Sequence, residues 1–207
     1  MKKIASILTI ITILFTFVAC STTDTAVNEM YIQKADLTEE EQSILEFVGS
    51  EKTPYILDYV VDDTVQSLQI NTYELQGDEW ILITGGGGQQ LNEPKSRISL
   101  TFDNVGLGLR TAVEHKGSIS YKSEKDFEFE GLGSTTSYLT NKTTIEYDKE
   151  IPLVIQIHTS KNNVSSLYPE YGFYELQSYV GYEKVYAITC LFSQKTVGEL
   201  TEQTNEK

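Results

Sequence analysis

The residues with the most reactive side chains are two cysteines and two histidines. Cys20 separates an apolar run from a polar one, whereas Cys190 lies on the apolar phase of a strand-like segment. This alternation predicts that Cys190 is a small buried hydrophobe rather than a nucleophile. His115 and His158 lack the spacing of a metal site, which needs three or four ligands, so we expect structural or surface roles for both.

The N-terminal segment has the organisation of an export signal. Lys2 and Lys3 precede residues 4–19, which carry no charge. This run is shorter than the roughly 18 to 20 residues that span a bilayer. It ends at Ala19 and Cys20, after which the chain is polar. An uncleaved signal anchor and an ordinary secretory signal cut near Ala19 are alternative interpretations.

The stretch Phe17-Val18-Ala19-Cys20 resembles the lipobox of bacterial lipoproteins, with Phe17 in the place of the usual Leu. The resemblance implies a signal peptide over residues 1–19, acylation of Cys20 with fatty acids such as palmitate, and a mature chain that begins at this cysteine. Two acyl chains hold a protein stably on a membrane, where one holds only marginally. We therefore expect a lipid anchor on Cys20 and a location on the outer face of the cell membrane.

The charge balance restricts the partners of the chain. Its formal net charge is −14, and Arg97 and Arg110 are the only arginines. Such a chain is repelled by nucleic acid and by anionic lipid headgroups, so we expect no nucleic-acid partner. Acidity of this kind serves solubility, and cation binding or attraction to a basic partner is the alternative. With Cys20 lipidated, one thiol remains and no intramolecular disulfide can form.

Composition divides the mature chain into three parts. Residues 20–35 are rich in Ser, Thr and Asp and predict a flexible tether. Residues 36–195 are long enough for a single β-rich domain with its own core. Residues 196–207 are polar and predict a frayed tail.

One short helix is predicted near the start of this domain. Thr38 and Glu41 form a capping box, Ile44 and Leu45 begin an apolar stripe, and Gly49 is a natural C-terminal stop. We expect this helix to pack on a sheet.

Strand patterns dominate after the helix. Ile70–Leu75 and Glu79–Thr84 are joined by a loop of hairpin composition, and alternating apolar residues recur in later segments. The pattern predicts about nine or ten short strands with no helices alternating between them. The fold class is therefore mainly β, an antiparallel β-sandwich or open barrel with one short N-terminal helix.

Two further motifs carry little chemistry. Gly85–Gly88 resembles a phosphate loop only in its glycines, because no helix start and no nearby lysine of the required spacing follow it. Asp58, Asp62 and Asp63 lack the pattern of a calcium loop. We predict no metal site, no cofactor and no catalytic residue.

The most suggestive stretch is rich in tyrosine. Tyr168, Tyr171, Tyr174 and Tyr179 lie in a region of irregular periodicity. Exposed rings there could stack on sugars or hold a peptide, because tyrosine offers rigid contact area with a polar tip. Closure of the core by about half of these rings is the alternative.

These features predict a membrane-anchored extracytoplasmic lipoprotein that acts as a binding or interaction module of the cell envelope. Its expected partners are the membrane, through Cys20, and an envelope protein or a glycan. A structural or assembly component of the envelope is the alternative, and a hydrolase is disfavoured because no G-x-S-x-G motif is present.

Overall fold

The structure is a computed structural model that describes residues 29–47, 53–84, 88–122, 129–165 and 167–200. These residues form twelve strands, which are, in chain order, β1 (Tyr31–Lys34), β2 (Tyr55–Val60), β3 (Ser67–Gln76), β4 (Glu79–Thr84), β5 (Gln89–Gln90), β6 (Lys95–Thr101), β7 (Gly108–Val113), β8 (Gly117–Lys122), β9 (Gly133–Tyr138), β10 (Thr143–Thr144), β11 (Ile151–Thr159) and β12 (Lys184–Ser193). Helical elements are short: α1 (Glu39–Phe47), α2 (Pro169–Gly172), a 3-10 turn at Leu176–Tyr179 and a helical turn at residues 197–200.

The strands form two antiparallel sheets. Sheet A has the strand order β10-β1-β2-β6-β7-β8. Sheet B has the order β4-β3-β12-β11-β9, and β5 pairs with the start of β3. The predicted class, mainly antiparallel β, is confirmed.

The predicted hairpin is present in sheet B. β3 and β4 are joined at Gln76 and Glu79, which pair across a two-residue turn. Gly77 in that turn has φ of 68°, a value that glycine adopts without steric cost.

One hydrophobic cluster contains side chains from both sheets, and we call it the inter-sheet cluster. Sheet A contributes Ile32, Leu57 and Ile98, and sheet B contributes Leu153 and Ile188 among others. Cys190 lies in the same cluster and is fully buried, as its alternation predicts. Burial raises the pKa of its thiol, which keeps the sulfur protonated and unreactive.

Strand β11 is buried along its whole length, because all nine of its residues are buried. Leu153 and Val154 belong to the inter-sheet cluster, whereas Ile155 and Ile157 belong to a second cluster with Val185 of β12. A strand buried on both faces requires a cover on the outer face of sheet B. That cover is the tyrosine-rich segment described below.

The ordered domain begins earlier than its composition suggests. Tyr31–Lys34, within the predicted tether, form β1 between β2 and β10, and Ile32 is fully buried. A short strand of this kind has too few residues to show a period, and neighbouring strands supply its pairing. At the other end, the Thr196 N–H donates to Oε2 of Glu199 at 2.8 Å, as in a capping box, and residues 197–200 form a helical turn.

Helix α1 begins with the capping box that Thr38 and Glu41 predict. The Thr38 N–H donates to Oε2 of Glu41 at 2.8 Å, and the Glu41 N–H donates to the Thr38 hydroxyl at 3.2 Å. Ile44 of the predicted stripe, however, is 54% exposed, whereas Leu45 is half-buried. The expected packing on a sheet is therefore not found for Ile44, and Phe47, outside the stripe, is 90% exposed.

Several predictions concern residues outside the described ranges. These are the signal peptide at residues 1–19, lipidation of Cys20, residues 20–28 of the tether, the helix stop at Gly49, the glycines at residues 85–87, and residues 201–207 of the tail.

Candidate functional site

Residues 167–182, which we call the tyrosine segment, cover the outer face of sheet B. Apolar side chains of β11 and β12 form the floor: Ile155, Ile157, Val185 and Ala187. Tyr179 of the segment is buried among them, with 3% of its surface exposed. The outer cluster, as we call this group, fixes the segment to the sheet.

Trp80 of strand β4 attaches the middle of the segment. Its indole stacks on Phe173 with ring centroids 5.1 Å apart and planes only 9° from parallel. The indole N–H also donates to the Phe173 carbonyl at 2.8 Å. Stacked aromatic pairs stabilise beyond the area they bury, and the hydrogen bond ties the Phe173 backbone to the same indole.

The local helical turns place three tyrosines in one row. The Tyr171 N–H donates to the Tyr168 carbonyl at 3.0 Å, and the Tyr174 N–H donates to the Tyr171 carbonyl at 3.1 Å. Residues three apart in such turns lie on the same side of the chain. Tyr168, Tyr171 and Tyr174 are 56%, 59% and 59% exposed, and together they form what we call the tyrosine row.

Tyr179 does not belong to this row. The site of a β-carbon on Gly172 would lie 2.0 Å from the Tyr179 hydroxyl oxygen, so the ring packs directly against the Gly172 backbone. This hydroxyl is buried and has no hydrogen-bond partner among the residues that the structure describes. Three of the four predicted binding tyrosines are thus exposed together, and the fourth is part of the support beneath them.

A small cavity lies beside Tyr174 at one end of the row. Its volume is about 260 Å³. Tyr174 forms part of its wall together with Glu146, Lys149, Glu150 and Glu170. We call this space the glutamate cavity.

Glu150 is held in place by neutral donors from sheet B. Its Oε1 accepts hydrogen bonds from the Asn71 amide at 2.6 Å and from the Tyr73 hydroxyl at 2.9 Å. Its Oε2 accepts from the Thr189 hydroxyl. Burial first, and then the charge of Glu150, raise the pKa of Tyr73, so this phenol remains a donor. The Tyr174 hydroxyl donates to the Glu150 carbonyl at 3.1 Å, which ties the row to the same residue.

Among the described residues, only one of the two carboxylate oxygens of Glu170 has a hydrogen-bond donor. Its Oε1 accepts from the Asn141 side-chain amide at 2.8 Å. Its Oε2 exposes less than 1 Å² and has no hydrogen-bond partner among the described residues. A buried acceptor without a donor is unfavourable, and more so when it carries charge.

The cation at the cavity is already paired. Nζ of Lys149 lies 2.6 Å from Glu146, and both side chains are more than half exposed. Among the described residues, no lysine or arginine forms an ion pair with Glu150 or Glu170. The cavity is therefore an anionic site next to an aromatic surface.

His158 is part of the core. Gln156 Oε1 accepts from the Val105 N–H at 2.7 Å and lies 3.1 Å from His158 Nε2, so this nitrogen must carry the proton. The ring packs on Phe129 at 4.4 Å, and burial lowers the pKa of His158. His115 lies on an exposed turn, 3.8 Å from Glu114. Neither histidine is hydrogen-bonded to a serine among the described residues.

Two of the three acidic residues near the end of β2 already have partners. Asp58 pairs with Nε of Arg97 at 2.8 Å. Asp62 accepts from the Thr64 N–H at 2.9 Å and from the Tyr147 hydroxyl. The described part of the chain contains no group of three metal-ligating side chains. It also contains no helix that is long and apolar enough to cross a membrane.

A larger cleft of about 690 Å³ lies at the β3–β4 turn. Its polar groups already have partners: Lys184 pairs with Glu74 at 2.6 Å, and Glu183 accepts from the Ser160 hydroxyl at 2.5 Å. Hydrogen bonds from Ser160 lower the pKa of Glu183 to about 2. We therefore regard the tyrosine row and the glutamate cavity as the better candidate site.

The fold and the site define a mainly antiparallel β protein with an exposed aromatic row beside an anionic cavity. Comparison with protein-family models, with curated proteins and with solved structures finds no match for this chain. Its function must therefore be argued from the site.

Sequence reasoning found the row but not the cavity. Glu146 and Glu150 lie far from Glu170 along the chain, and Asn71 is farther still. Only the pairing of β3 with β12 and of β12 with β11 brings their elements together. The residue order offers no signal for this, apart from the position of Glu170 within the tyrosine-rich stretch.

Proposed function

We propose that this protein is a lipid-anchored binding protein of the cell envelope, displayed on the outer face of the membrane through Cys20. The uncharged run of residues 4–19, the cysteine after it and the polar sequence that follows support the anchor. We infer also that the two sheets pack face to face as a sandwich. The inter-sheet cluster supports this arrangement because both sheets contribute side chains to it.

The single observation that carries the binding role is the tyrosine row. Three neighbouring rings are each more than half exposed, although the segment that holds them is attached by Trp80, Phe173 and Tyr179. Aromatic side chains on a rigid support lose little conformational entropy on binding and are enriched at interaction hot spots. An exposed apolar surface of this kind on a rigid support is typical of a recognition site.

The anchor is tested by Cys20→Ala, with Ser21→Ala as the matched control. We expect the Cys20 variant to leave the membrane fraction or to accumulate as a larger, uncleaved precursor, because the acyl chains supply the attachment. Cell fractionation and gel mobility measure this. If the Cys20 variant fractionates and migrates like the wild type, the lipoprotein assignment is wrong.

The binding role is tested by replacing Tyr168, Tyr171 and Tyr174 together with serine. We expect retention on purified cell-wall glycan or on immobilised envelope protein to fall by about tenfold or more, as for loss of an aromatic hot spot. Phe47→Ser is the matched control, because Phe47 is 90% exposed and lies on α1. Unchanged retention of the triple variant on both materials would contradict the proposal.

A further inference from the structure

We propose that the tyrosine row binds an extended segment of a partner protein, in which arginines at alternate positions stack on neighbouring rings of the row. This inference rests on the proposed binding function and names the partner chemistry. It excludes a neutral glycan as the principal ligand.

Tyrosine rings elsewhere in this fold already hold cations. Nζ of Lys161 lies 4.9 Å from the ring centroid of Tyr182, which belongs to the tyrosine segment. Nζ of Lys142 lies 4.1 Å from the ring centroid of Tyr31 in sheet A. Both distances are below about 6 Å, the range within which the negative face of an aromatic ring attracts a cation. In the described part of the chain, no cation lies over the rings of the row itself.

The charge around the row is complementary to a cationic partner. Residues 162–183 contain three glutamates and no lysine, arginine or histidine. Lys149, which lines the same cavity as Tyr174, is paired with Glu146 at 2.6 Å. The chain as a whole carries −14, so a basic segment is also attracted from a distance. The ring faces and the surrounding field therefore favour the same class of ligand.

The exposure of the rings distinguishes arginine from lysine. The three side chains of the row are 56% to 59% exposed, so a cation stacked on them keeps one side in water. A guanidinium group is planar, stacks on aromatic faces and is more weakly hydrated than an ammonium group. It therefore loses less hydration on an open ring than lysine does, and the stacked contact needs no free carboxylate of this chain.

The spacing of the row sets the pattern of the partner. Residues three apart on helical turns have β-carbons about 5 to 6 Å apart. In an extended segment, alternate residues point to the same side and are about 6.6 Å apart. Two arginines separated by one residue can therefore lie on Tyr168 and Tyr171, or on Tyr171 and Tyr174. Phe173 stacks on Trp80 and meets Tyr174 edge-on at 5.3 Å, so the attachment to sheet B holds Tyr174 in its place in the row.

The test uses short blocked peptides of glycine and serine in which two test residues are separated by a single glycine. The test residues are arginine, lysine or citrulline, whose urea group has the shape of a guanidinium group without its charge. Binding of each labelled peptide to the full-length chain in a non-ionic detergent is measured by fluorescence anisotropy. We expect the citrulline peptide to bind at least about fivefold more weakly than the arginine peptide, because two cation contacts are lost. The lysine peptide and a peptide with two adjacent arginines should be weaker as well, the latter because adjacent residues of an extended chain point to opposite sides.

Several outcomes overturn the proposal. These are equal affinities of the arginine and citrulline peptides, tighter binding of lysine, equal binding of adjacent and alternate arginines, and no detectable binding of the arginine peptide. Retention of the wild-type protein on cell-wall glycan but not on immobilised envelope protein overturns it too.

The protein side is tested with Tyr168→Leu combined with Tyr171→Leu, and Tyr168→Phe combined with Tyr171→Phe is the matched control. Leucine keeps an apolar side chain but has no ring face, whereas phenylalanine keeps the face. The leucine variant should bind the arginine peptide about fivefold more weakly, and the phenylalanine variant should stay within about twofold of the wild type. Equal affinity for wild type and the leucine variant overturns the proposal, and so does an equal loss in both variants. The comparison of peptides on the unaltered protein covers the case in which a variant does not fold.

The two proposals fail in different ways. If the serine variant of the row loses envelope retention while the arginine and citrulline peptides bind equally, the arginine inference is wrong and the binding function stands. If the serine variant is fully retained, the binding function itself is wrong.

Discussion

Two short segments lie against the sheets of this protein and are attached by different forces. The tyrosine segment is attached to sheet B by apolar packing: Tyr179 is buried, and Phe173 stacks on Trp80. Helix α1 is attached to sheet A by charge: Arg97 of β6 pairs with Glu41 of the helix and with Asp58 of β2.

The two attachments leave different surfaces. None of the residues of α1 is buried, and its apolar side chains Ile44 and Phe47 face solvent. An open groove of about 780 Å³ separates Leu45 from Tyr55 and Tyr138. Exposed ion pairs contribute little to stability, so α1 is the less firmly held of the two segments. The buried aromatic attachment, by contrast, gives the tyrosine row a fixed support.

Gly172→Ala is expected to have the largest effect on the attachment of the tyrosine segment. The new methyl group would lie 2.0 Å from the Tyr179 hydroxyl and 3.1 Å from Ile155 Cδ1, so the ring or the backbone must move. We expect a loss of about 3 kcal/mol in the free energy of unfolding, at the upper end for overpacking, which denaturant titration measures.

The same site offers a compensating change. Tyr179→Phe removes the clashing oxygen, which has no hydrogen-bond partner in the described part of the chain. We expect Tyr179→Phe alone to be nearly neutral and the double variant with Gly172→Ala to regain at least half of the lost stability. Gly133→Ala is the control, because its methyl group would meet only the Thr159 carbonyl at an ordinary 3.6 Å. Additive losses in the double variant would show that the ring does not lie against Gly172.

A smaller effect is expected from Trp80→Ala. The substitution removes the stacking on Phe173 and leaves the Phe173 carbonyl without its donor. We expect a loss of about 2 to 3 kcal/mol in the free energy of unfolding, below the value for a fully buried tryptophan, together with increased amide exchange across the tyrosine segment.

Leu82→Ala is the control for this change, because Leu82 lies on the same strand and is 41% exposed. We expect its loss to stay near or below about 1 kcal/mol. Exchange in α1 should not respond to either variant. An equal effect of Trp80→Ala on both segments would show that they are not attached independently.

The sequence predicts the strongly periodic parts of this fold. Alternation in β6 and β12 marks Ile98, Leu100 and Phe192 as core residues, and all three are buried. The capping box of α1 is also visible, because Thr38 and Glu41 are close in the chain. These features depend on neighbouring residues, and local order is enough to find them.

The rest depends on pairing between distant residues. Nothing in Tyr31–Lys34 shows that this short stretch is a strand, since β2 and β10 complete its hydrogen bonding. In the tyrosine-rich stretch, composition suggests a surface but not which rings form it. Tyr179 differs from Tyr174 only because Gly172 and Ile155 make room for it against sheet B.

The smallest effect is expected from lowering the pH, which should weaken the attachment of α1 but not that of the tyrosine segment. Hydrogen bonds from the Thr38 backbone and from Arg97 lower the pKa of Glu41 from its ordinary value of 4.5. The stabilisation that ionised Glu41 gives to α1 is therefore complete above that ordinary value and is lost as the pH falls through the lowered pKa. We expect amide exchange in α1 to increase relative to the sheets as the pH falls below 4.5. The tyrosine segment should keep its protection, since its attachment has no carboxylate between Trp80, Phe173 and Tyr179. Glu41→Gln should remove the pH dependence, whereas Glu46→Gln, at an exposed position of the same helix, should keep it. If acid releases both segments together, the contrast between a charged and an aromatic attachment is wrong.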